Sequence, residues 1–181
     1  MLKIHENIFD KRWIDELSHS LFEQPWFSNN IADRKTWPYG NKGASLFLGN
    51  DYFRRINDNE IIYNQNINFS KNLIAAFFAI SNKLQRKMKL MEITANLQFK
   101  EMDGALHKDG TEKDSVFILM LCNDYTEEDI GGEFYHEPTN TLVPFKSGRL
   151  IEQNGDDLHK GLAFKKPNIA RMSIKFVGEN F

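Results

Sequence analysis

The sequence predicts a mainly β protein with helices at its N-terminal end, an α+β arrangement. Apolar residues recur with a helical period in two segments before residue 90, and short apolar runs broken by Gly, Asp and Asn follow from residue 91. No linker or internal repeat divides the chain. Short strands after helices are typical of a sandwich or jelly roll flanked by helices. We expect a single domain over 1–181, with a helical and loop-rich part at 1–90 packed on a jelly-roll core at 91–181.

Length and composition favour an ordinary globular domain. The chain has 181 residues, 41% hydrophobic and 13% aromatic, which is enough to bury a core. A net charge of −2 creates no overall field that would attract nucleic acid, so no such partner is expected. One local basic cluster is interpreted as a solvated helix end: Lys83, Arg86, Lys87 and Lys89.

The cysteine content and the lengths of the apolar runs indicate in which cellular compartment the protein is expected. The single Cys122 excludes an internal disulfide, and we expect it to be buried in its apolar strand. The segment that starts at Met1 lacks the uninterrupted apolar run of a signal peptide, and the longest apolar run, 73–80, is too short to span a membrane. We therefore expect a soluble protein of a reducing, cytoplasmic compartment, with no membrane partner. The sequence does not predict the oligomeric state.

The first predicted helix precedes Pro25. Its apolar residues share one face of an amphipathic helix, at Trp13, Ile14, Leu17 and Leu21. Between Pro25 and Asn50, aromatic residues are mixed with Pro, Gly and Asn, which indicates loops and short strands.

The second predicted helix starts at Ser70, a suitable N-cap residue. Its apolar stripe consists of Leu73, Ala76, Phe77, Ile80 and Leu84. About six or seven strands are then predicted in the C-terminal half, with segments at 93–99, 115–122, 132–136, 141–145, 148–153 and 169–176.

Three residues in this strand-rich half could hold a divalent metal ion. Residues i and i+2 of a strand point to the same side, so His107 and Asp109 can reach one ion. A jelly roll brings a distant strand alongside, and His159, which follows a Gly-Asp-Asp turn, is the natural third ligand. Two imidazoles and one carboxylate on one face of an octahedron suit iron(II) and leave the opposite positions open.

Two further polar side chains follow His159, and they stand two positions apart, as residues on one face of a strand do. Arg171 lies twelve residues after His159, and a guanidinium can hold a carboxylate through two parallel hydrogen bonds. Ser173 would face the same way and add a donor. The other histidines, His5, His19 and His136, are interpreted as surface or hydrogen-bonded residues.

At these residues the chain resembles the iron(II)- and 2-oxoglutarate-dependent oxygenase superfamily, especially its prolyl-4-hydroxylase-like branch. The resemblance covers roughly 98–176, and its order and spacing make it more specific than the His107-Lys108-Asp109 motif alone. Its matching pieces are Gly104 with His107-Lys108-Asp109, Leu121-Cys122-Asn123, Gly131-Gly132-Glu133-Phe134, Gly148-Arg149-Leu150, His159-Lys160-Gly161 and Arg171-Met172-Ser173.

The resemblance implies a double-stranded β-helix core, cupin-like, with iron on His107, Asp109 and His159. It implies that Arg171, helped by Ser173, pairs with the distal carboxylate of 2-oxoglutarate, and that this co-substrate and O2 are consumed to give succinate and CO2. Ascorbate is a possible reductant. The intact Asp109 favours hydroxylation over halogenation, for which a small residue at this position would open a halide site.

The chain also departs from the family pattern. Many relatives carry Tyr where this chain has Leu121, so Gln98 or Asn96 is expected to replace that donor. Relatives usually have an aromatic residue near the position of Gln153, and prolyl hydroxylases often have Lys in place of Arg171. Neither change removes the iron site or the co-substrate site.

The primary substrate is left open, as a small molecule or a peptidyl residue such as proline. We expect Trp26, Trp37 and Tyr39 to serve as ordinary packing residues or, less plausibly, as a wall of the substrate pocket. Two other functions are considered: a cupin-type metal enzyme without 2-oxoglutarate, in which Arg171 is structural, and a non-catalytic jelly-roll binding module.

Overall fold

The computed structural model describes residues 1–30, 47–124 and 130–181. Trp37 and Tyr39 lie outside the described residues. In chain order the elements are β1 (Lys3–His5), α1 (Lys11–Phe22), β2 (Phe27–Asn30), β3 (Phe47–Asn57), β4 (Glu60–Tyr63), α2 (Ile67–Lys83), β5 (Met88–Gln98), β6 (Asp114–Cys122), β7 (Phe134–His136), a short 3-10 helix (Glu137–Thr139), β8 (Thr141–Val143), β9 (Leu150–Asn154), β10 (His159–Gly161) and β11 (Arg171–Asn180).

The strands form two antiparallel sheets. The larger sheet has the order β1-β9-β6-β11-β5-β3-β2, with β4 paired to β3, and the smaller one has the order β10-β7-β8. In the larger sheet, β11 lies between β5 and β6 over most of its length, and Arg171 pairs with Gln98 on one side and Cys122 on the other. This pairing places the predicted Arg171 at one end of the central strands.

The larger sheet separates two parts of the core. On one face, both helices pack against apolar residues such as Phe117, Leu121 and Phe176. On the other face, Phe134 and Val143 of the smaller sheet pack against Ile118 of β6 and its neighbours. Alternation along each strand therefore sends successive side chains either toward the helices or toward the smaller sheet.

Helix α1 lies where the sequence predicts it. Asp10 is the N-cap, and its carboxylate accepts a hydrogen bond of 2.9 Å from the Trp13 backbone N–H. Ile14, Leu17 and Leu21 are buried, as their helical spacing predicts.

Helix α2 begins earlier than predicted, so the assignment of Ser70 as its N-cap is wrong. Asn66 is the cap, and its side-chain oxygen accepts a hydrogen bond of 3.1 Å from the Phe69 backbone N–H. Ser70 is buried inside the helix. The exposed Ile67 in the first turn does not belong to the apolar stripe, which explains why periodicity alone placed the start too late.

The interpretation of the basic cluster as a solvated helix end is wrong for Arg86 and Lys89, whereas Lys83 and Lys87 are exposed. The helix stops at Lys83, whose ammonium donates to the Ile8 carbonyl. Arg86 donates to the Glu152 carboxylate, to Ser115 Oγ at 2.7 Å and to Asn180 Oδ1 at 2.6 Å. Lys89 lies in β5 and pairs with Asp58. These cations make tertiary contacts.

Residues 1–90 contribute β1, β2, β3 and β4 to the larger sheet, and the sequence did not predict β1 or the long β3. Polar residues interrupt β3 at Gly49-Asn50-Asp51 and Arg54-Arg55, so no apolar alternation is visible there. The six predicted C-terminal segments all overlap observed strands, and β11 continues to Asn180. Within the described ranges, no helix is long and apolar enough to cross a membrane.

Candidate metal centre

The two histidines of the predicted site lie side by side on neighbouring backbone segments. His107 and His159 form an isolated antiparallel bridge, in which each backbone N–H donates to the other's carbonyl at 3.1 Å. A second anchor holds the segment after His107, because the backbone N–H of Asp109 donates to the Gly155 carbonyl at 3.1 Å. These backbone contacts bring together groups that are fifty residues apart in the chain.

The predicted ligand atoms converge on one point. Asp109 Oδ2 lies 3.0 Å from His159 Nε2, and Asp109 Oδ1 lies 3.5 Å from His107 Nε2. All three residues offer a ligand atom within 4.8 Å of the others, and they form the one such group of His, Cys, Asp or Glu found in the described part of the chain. Two neutral nitrogens and one anionic oxygen suit a divalent transition metal.

Each imidazole is oriented through the nitrogen that faces away from this point. His107 Nδ1–H donates to the Ala105 carbonyl at 2.8 Å, and His159 Nδ1–H donates to the Asp157 carbonyl at 3.0 Å. With a proton on Nδ1, a metal ion can take the place of the proton on Nε2 and bind its lone pair.

Gln153 adds a second contact to His159. Its side-chain amide lies 2.7 Å from His159 Nδ1, with the nitrogen nearer, while the buried amide oxygen has no hydrogen-bond partner. A half-turn of the amide exchanges these two atoms and directs the oxygen at the Nδ1 proton. From the sequence, Gln153 was noted only as a departure from the family pattern, and its contact with His159 was not predicted.

The structure adds Lys175, which the sequence reasoning missed. The ammonium of Lys175 lies 3.0 Å from Asp109 Oδ1 and 2.7 Å from Glu92 Oε1. Its spacing from Arg171 and Ser173 was the available signal, because residues i, i+2 and i+4 of a strand share one face. All three side chains line the same small cavity as the metal-ligating candidates.

The charges of this cavity shift one another's ionisation. Burial alone would raise the pKa of Asp109, but the Lys175 ammonium and hydrogen bonds from both imidazoles hold it well below its ordinary value. Burial would lower the pKa of His107, but the Asp109 carboxylate raises it above the usual value. Lys175 likewise has a raised pKa, because Asp109 and Glu92 outweigh its desolvation. The carboxylate is therefore ionised and available as a ligand.

Arg171 is the largest fully buried side chain of the cavity. Its Nε donates to the Gly132 carbonyl at 3.0 Å, and its Nη1 donates to Gln98 Oε1 at 2.8 Å. Burial lowers the pKa of Arg171 to about 10, although the Glu133 and Asp103 carboxylates act against this from a distance. Gly161 lies against the guanidinium, since a Cβ on Gly161 would be 3.0 Å from Arg171 Nη1.

The remaining predicted co-substrate residues also line the cavity. Ser173 is buried beside Arg171 on β11, and it pairs with Asn96 of β5, as Arg171 pairs with Gln98. Gln98 is fixed at its other end, where its Nε2 donates to the Met102 carbonyl at 2.6 Å and to the Gly161 carbonyl at 3.2 Å. The structure thus places Gln98 in direct contact with the guanidinium.

The comparison of Leu121 with a co-substrate tyrosine does not fit the structure. Leu121 packs in the helix-facing core, whereas its neighbour Met120 faces the smaller sheet. Alternation along β6 turns the Leu121 side chain away from the cavity, so a tyrosine there could not reach the cavity.

The other residues considered from the sequence are structural in the described part of the chain. His136 is buried and contacts Thr139 Oγ1 at 2.8 Å and Asp157 Oδ2 at 3.1 Å. Trp26 packs against the core, and its indole N–H donates to the Phe22 carbonyl at 3.2 Å. Cys122 is buried, as predicted.

Sequence comparisons give no relative, since no protein-family model and no curated protein match this chain. Solved structures do match. An oxidoreductase of the 2OG-Fe(II) oxygenase family from Burkholderia pseudomallei has a TM-score of 0.70 at 12% identity, with 98% of this chain and 85% of that chain covered.

Two further structures show how widely this fold is used. A prolyl hydroxylase from Trichoplax adhaerens, in complex with a hypoxia-inducible-factor peptide fragment, has a TM-score of 0.68 at 12% identity and covers 99% of this chain and 83% of its own. A non-heme alpha-ketoglutarate-dependent epimerase from nogalamycin biosynthesis has a TM-score of 0.60 at 13% identity, with 99% and 77% covered. The chain therefore has the fold of 2OG-Fe(II) oxygenases, including prolyl hydroxylases.

Proposed function

We propose that this protein is an iron(II)- and 2-oxoglutarate-dependent oxygenase that hydroxylates a C–H bond. In the overall reaction the substrate, 2-oxoglutarate and O2 give the hydroxylated substrate, succinate and CO2. In this proposal the two sheets correspond to a double-stranded β-helix in a single domain. The shared fold and the donor groups of the cavity support the proposal.

The metal site fits iron(II). His107 and His159 would each bind the ion through Nε2, and Asp109 would bind it through a carboxylate oxygen. Three protein ligands leave up to three coordination positions for exchange, which is the chemistry that a bound iron would supply for co-substrate and O2. The Nδ1 contacts of both imidazoles fix the ring orientations before any ion binds.

The single observation that carries the proposal is the environment of Arg171. Its buried guanidinium donates to two neutral oxygens, and among the described residues no carboxylate lies within 4 Å of it. A buried cation without an anionic partner is costly, and a carboxylate offers the geometry that a guanidinium binds best. The distal carboxylate of 2-oxoglutarate would meet this requirement, with Ser173 adding a hydroxyl donor.

Apolar groups around the metal-binding atoms limit the access of water. The Phe134 ring lies 5.3 Å from the His159 ring in a stacked arrangement, and Ile118 lines the same cavity. Exclusion of water from the cavity would limit side reactions. Rigid walls would favour oxidation of the bound substrate, because the oxidant attacks the C–H bond held nearest to it.

We propose a peptidyl residue, such as proline, or a small metabolite as the substrate. The Trichoplax neighbour binds a peptide, whereas the nogalamycin neighbour is an epimerase. Fold alone does not select between such reactions.

The test is succinate formation by the purified protein with ferrous iron, ascorbate and 2-oxoglutarate, combined with equilibrium binding of 2-oxoglutarate. We expect slow turnover in wild type without substrate, loss of turnover in Asp109→Asn, and loss of 2-oxoglutarate binding in Arg171→Met. Arg149→Met is the matched control, because Arg149 is also largely buried but pairs with Glu6.

A wild-type protein that binds metal but neither binds 2-oxoglutarate nor forms succinate would contradict the proposal. The remaining interpretation would then be a cupin-type enzyme in which the substrate binds the ion directly. A protein that binds no divalent metal would indicate a binding module.

A further inference from the structure

The carboxylate of Asp109, a candidate metal ligand, is also paired with a lysine ammonium. The Lys175 ammonium contacts Asp109 Oδ1 at 3.0 Å, closer than the 3.5 Å that separates this oxygen from His107 Nε2, whereas Oδ2 lies 3.0 Å from His159 Nε2. The two oxygens of one carboxylate therefore have different neighbours. Only 7% of the Asp109 side chain is exposed, so water has little access to compete for either oxygen.

Lys175 is itself held in place from the opposite side. Glu92 Oε1 lies 2.7 Å from the ammonium, and the side chain of Lys175 is only 17% exposed. Glu92 in turn lies 3.5 Å from Arg54 on the neighbouring strand. A lysine that reaches two carboxylates from a central strand has little freedom to leave Asp109.

We infer that Lys175 is a positioning residue that binds one oxygen of Asp109 and thereby makes this carboxylate a ligand through the other oxygen only. A one-oxygen ligand occupies one coordination position and a two-oxygen ligand occupies two. Lys175 would thus preserve the positions that co-substrate and O2 need. This inference rests on the proposed function for its purpose, but the arrangement of Lys175 and Asp109 can be tested by metal binding alone.

The sign of the effect on metal binding separates positioning from simple charge repulsion. Removing an ammonium near a cation site strengthens metal binding if only Coulomb repulsion matters. Removing a residue that orients a ligand weakens binding, typically by about 10–100-fold. A lysine with a merely structural role would change the protein's stability and leave the metal affinity and coordination unchanged.

The experiment measures Co(II) affinity and the visible absorption of the Co(II) protein, which reports coordination number and geometry. For Lys175→Met we expect about tenfold weaker Co(II) binding or more, with an altered spectrum. Glu92→Gln keeps the ammonium but removes its outer partner, so we expect a smaller change in the same direction. It also provides a measurement if Lys175→Met does not fold.

Lys89→Met is the matched control. Lys89 is also a partly buried strand lysine in an ion pair, with Asp58, but it contacts none of the metal-ligating candidates. Its Co(II) affinity and spectrum should equal those of wild type.

Tighter or unchanged Co(II) binding in Lys175→Met with a wild-type spectrum would overturn the inference. If that variant does not fold, unchanged binding and spectrum in Glu92→Gln would overturn it. A wild type that binds no divalent metal would overturn both this inference and the proposed function. A wild type that binds Co(II) with the expected variant effects but makes no succinate would overturn the proposed function and leave the role of Lys175 supported.

Discussion

Two buried carboxylates on opposite faces of the larger sheet have different surroundings. Glu152 of β9 is contacted by Lys3, His5 and Arg86 on the helix-facing side. Asp109 meets one lysine and two imidazoles beside the smaller sheet. Both have a pKa below the ordinary value, since cationic or hydrogen-bonding partners outweigh burial.

The difference lies in what the partners can do besides binding the carboxylate. The cations around Glu152 come from β1 and from the turn after α2, so their contacts join separate elements to β9. The imidazoles around Asp109 point their Nε2 atoms at one place while their Nδ1 atoms donate to backbone carbonyls, so the Nε2 atoms can bind an ion. A saturated carboxylate is structural, and one surrounded by ligand atoms is a candidate site.

The largest expected effect comes from neutralising each carboxylate and measuring metal binding. Asp109→Asn should weaken divalent-metal binding by about 100-fold or more, because a ligand is lost and even its supporting residues cost 10–100-fold. Glu152→Gln should leave the metal affinity within about twofold, since the sheet separates it from the cavity. Isothermal titration with Co(II) measures both, and equal losses in the two variants would break the comparison.

The reverse experiment measures stability. Glu152→Gln should lower the free energy of unfolding at pH 7 by about 1–3 kcal/mol, because Arg86 and His5 lose a charged partner that is nearly buried. A carboxyl whose folded pKa is lowered contributes stability above its unfolded pKa of about 4.3 and loses it as the pH falls through the folded pKa. The difference between wild type and variant in urea unfolding should therefore be full at pH 7 and shrink below about pH 4. A difference that is constant with pH would contradict this electrostatic account.

A third prediction concerns the hydrogen bonds that hold Arg171. Gln98→Leu removes the acceptor at Nη1 and two bonds to backbone carbonyls, so Arg171 should lose its fixed orientation. We expect about tenfold weaker 2-oxoglutarate binding, the order expected for one hydrogen bond to a charged group, with metal affinity unchanged. Binding of 2-oxoglutarate to the Co(II)-loaded protein measures it. A loss of metal affinity instead would show that Gln98 supports the whole cavity.

The sequence predicted which residues meet at the cavity better than it predicted the Glu152 cluster, for a physical reason. His107 and Asp109 were found because two metal-ligating residue types stand two positions apart, which is a local pattern, and His159 was found because it follows a local turn signal. Glu152 and Arg86 were missed because their meeting depends on how β9, β1 and the end of α2 pack, and no local spacing records it. Arg86 was even assigned to a solvated helix end.

The contrast between local sequence patterns and contacts made by packing also explains which strands, caps and polar residues were predicted. Strand β6 was predicted because both of its faces are buried and its apolar run is continuous, whereas β3 has polar residues along its length and was not recognised. The start of α2 was misplaced because the exposed Ile67 lies outside the apolar stripe and because Ser and Asn are equally good caps. Lys175 was overlooked because a lysine in a strand resembles a solvent-facing residue until its partners are known.

The smallest expected effect separates the members of the Glu152 cluster. Lys3 is 43% exposed and makes one contact of 3.3 Å, so Lys3→Met should cost no more than about 0.5 kcal/mol of unfolding free energy. Arg86 is 29% exposed and also donates to Ser115 and Asn180, so Arg86→Met should cost several times more. Urea unfolding at low and high salt measures both. Because Lys3 is the more exposed, added salt should abolish the effect of Lys3→Met first. Equal losses of unfolding free energy in the two variants would mean that overall charge, rather than buried contacts, sets the stability of this cluster.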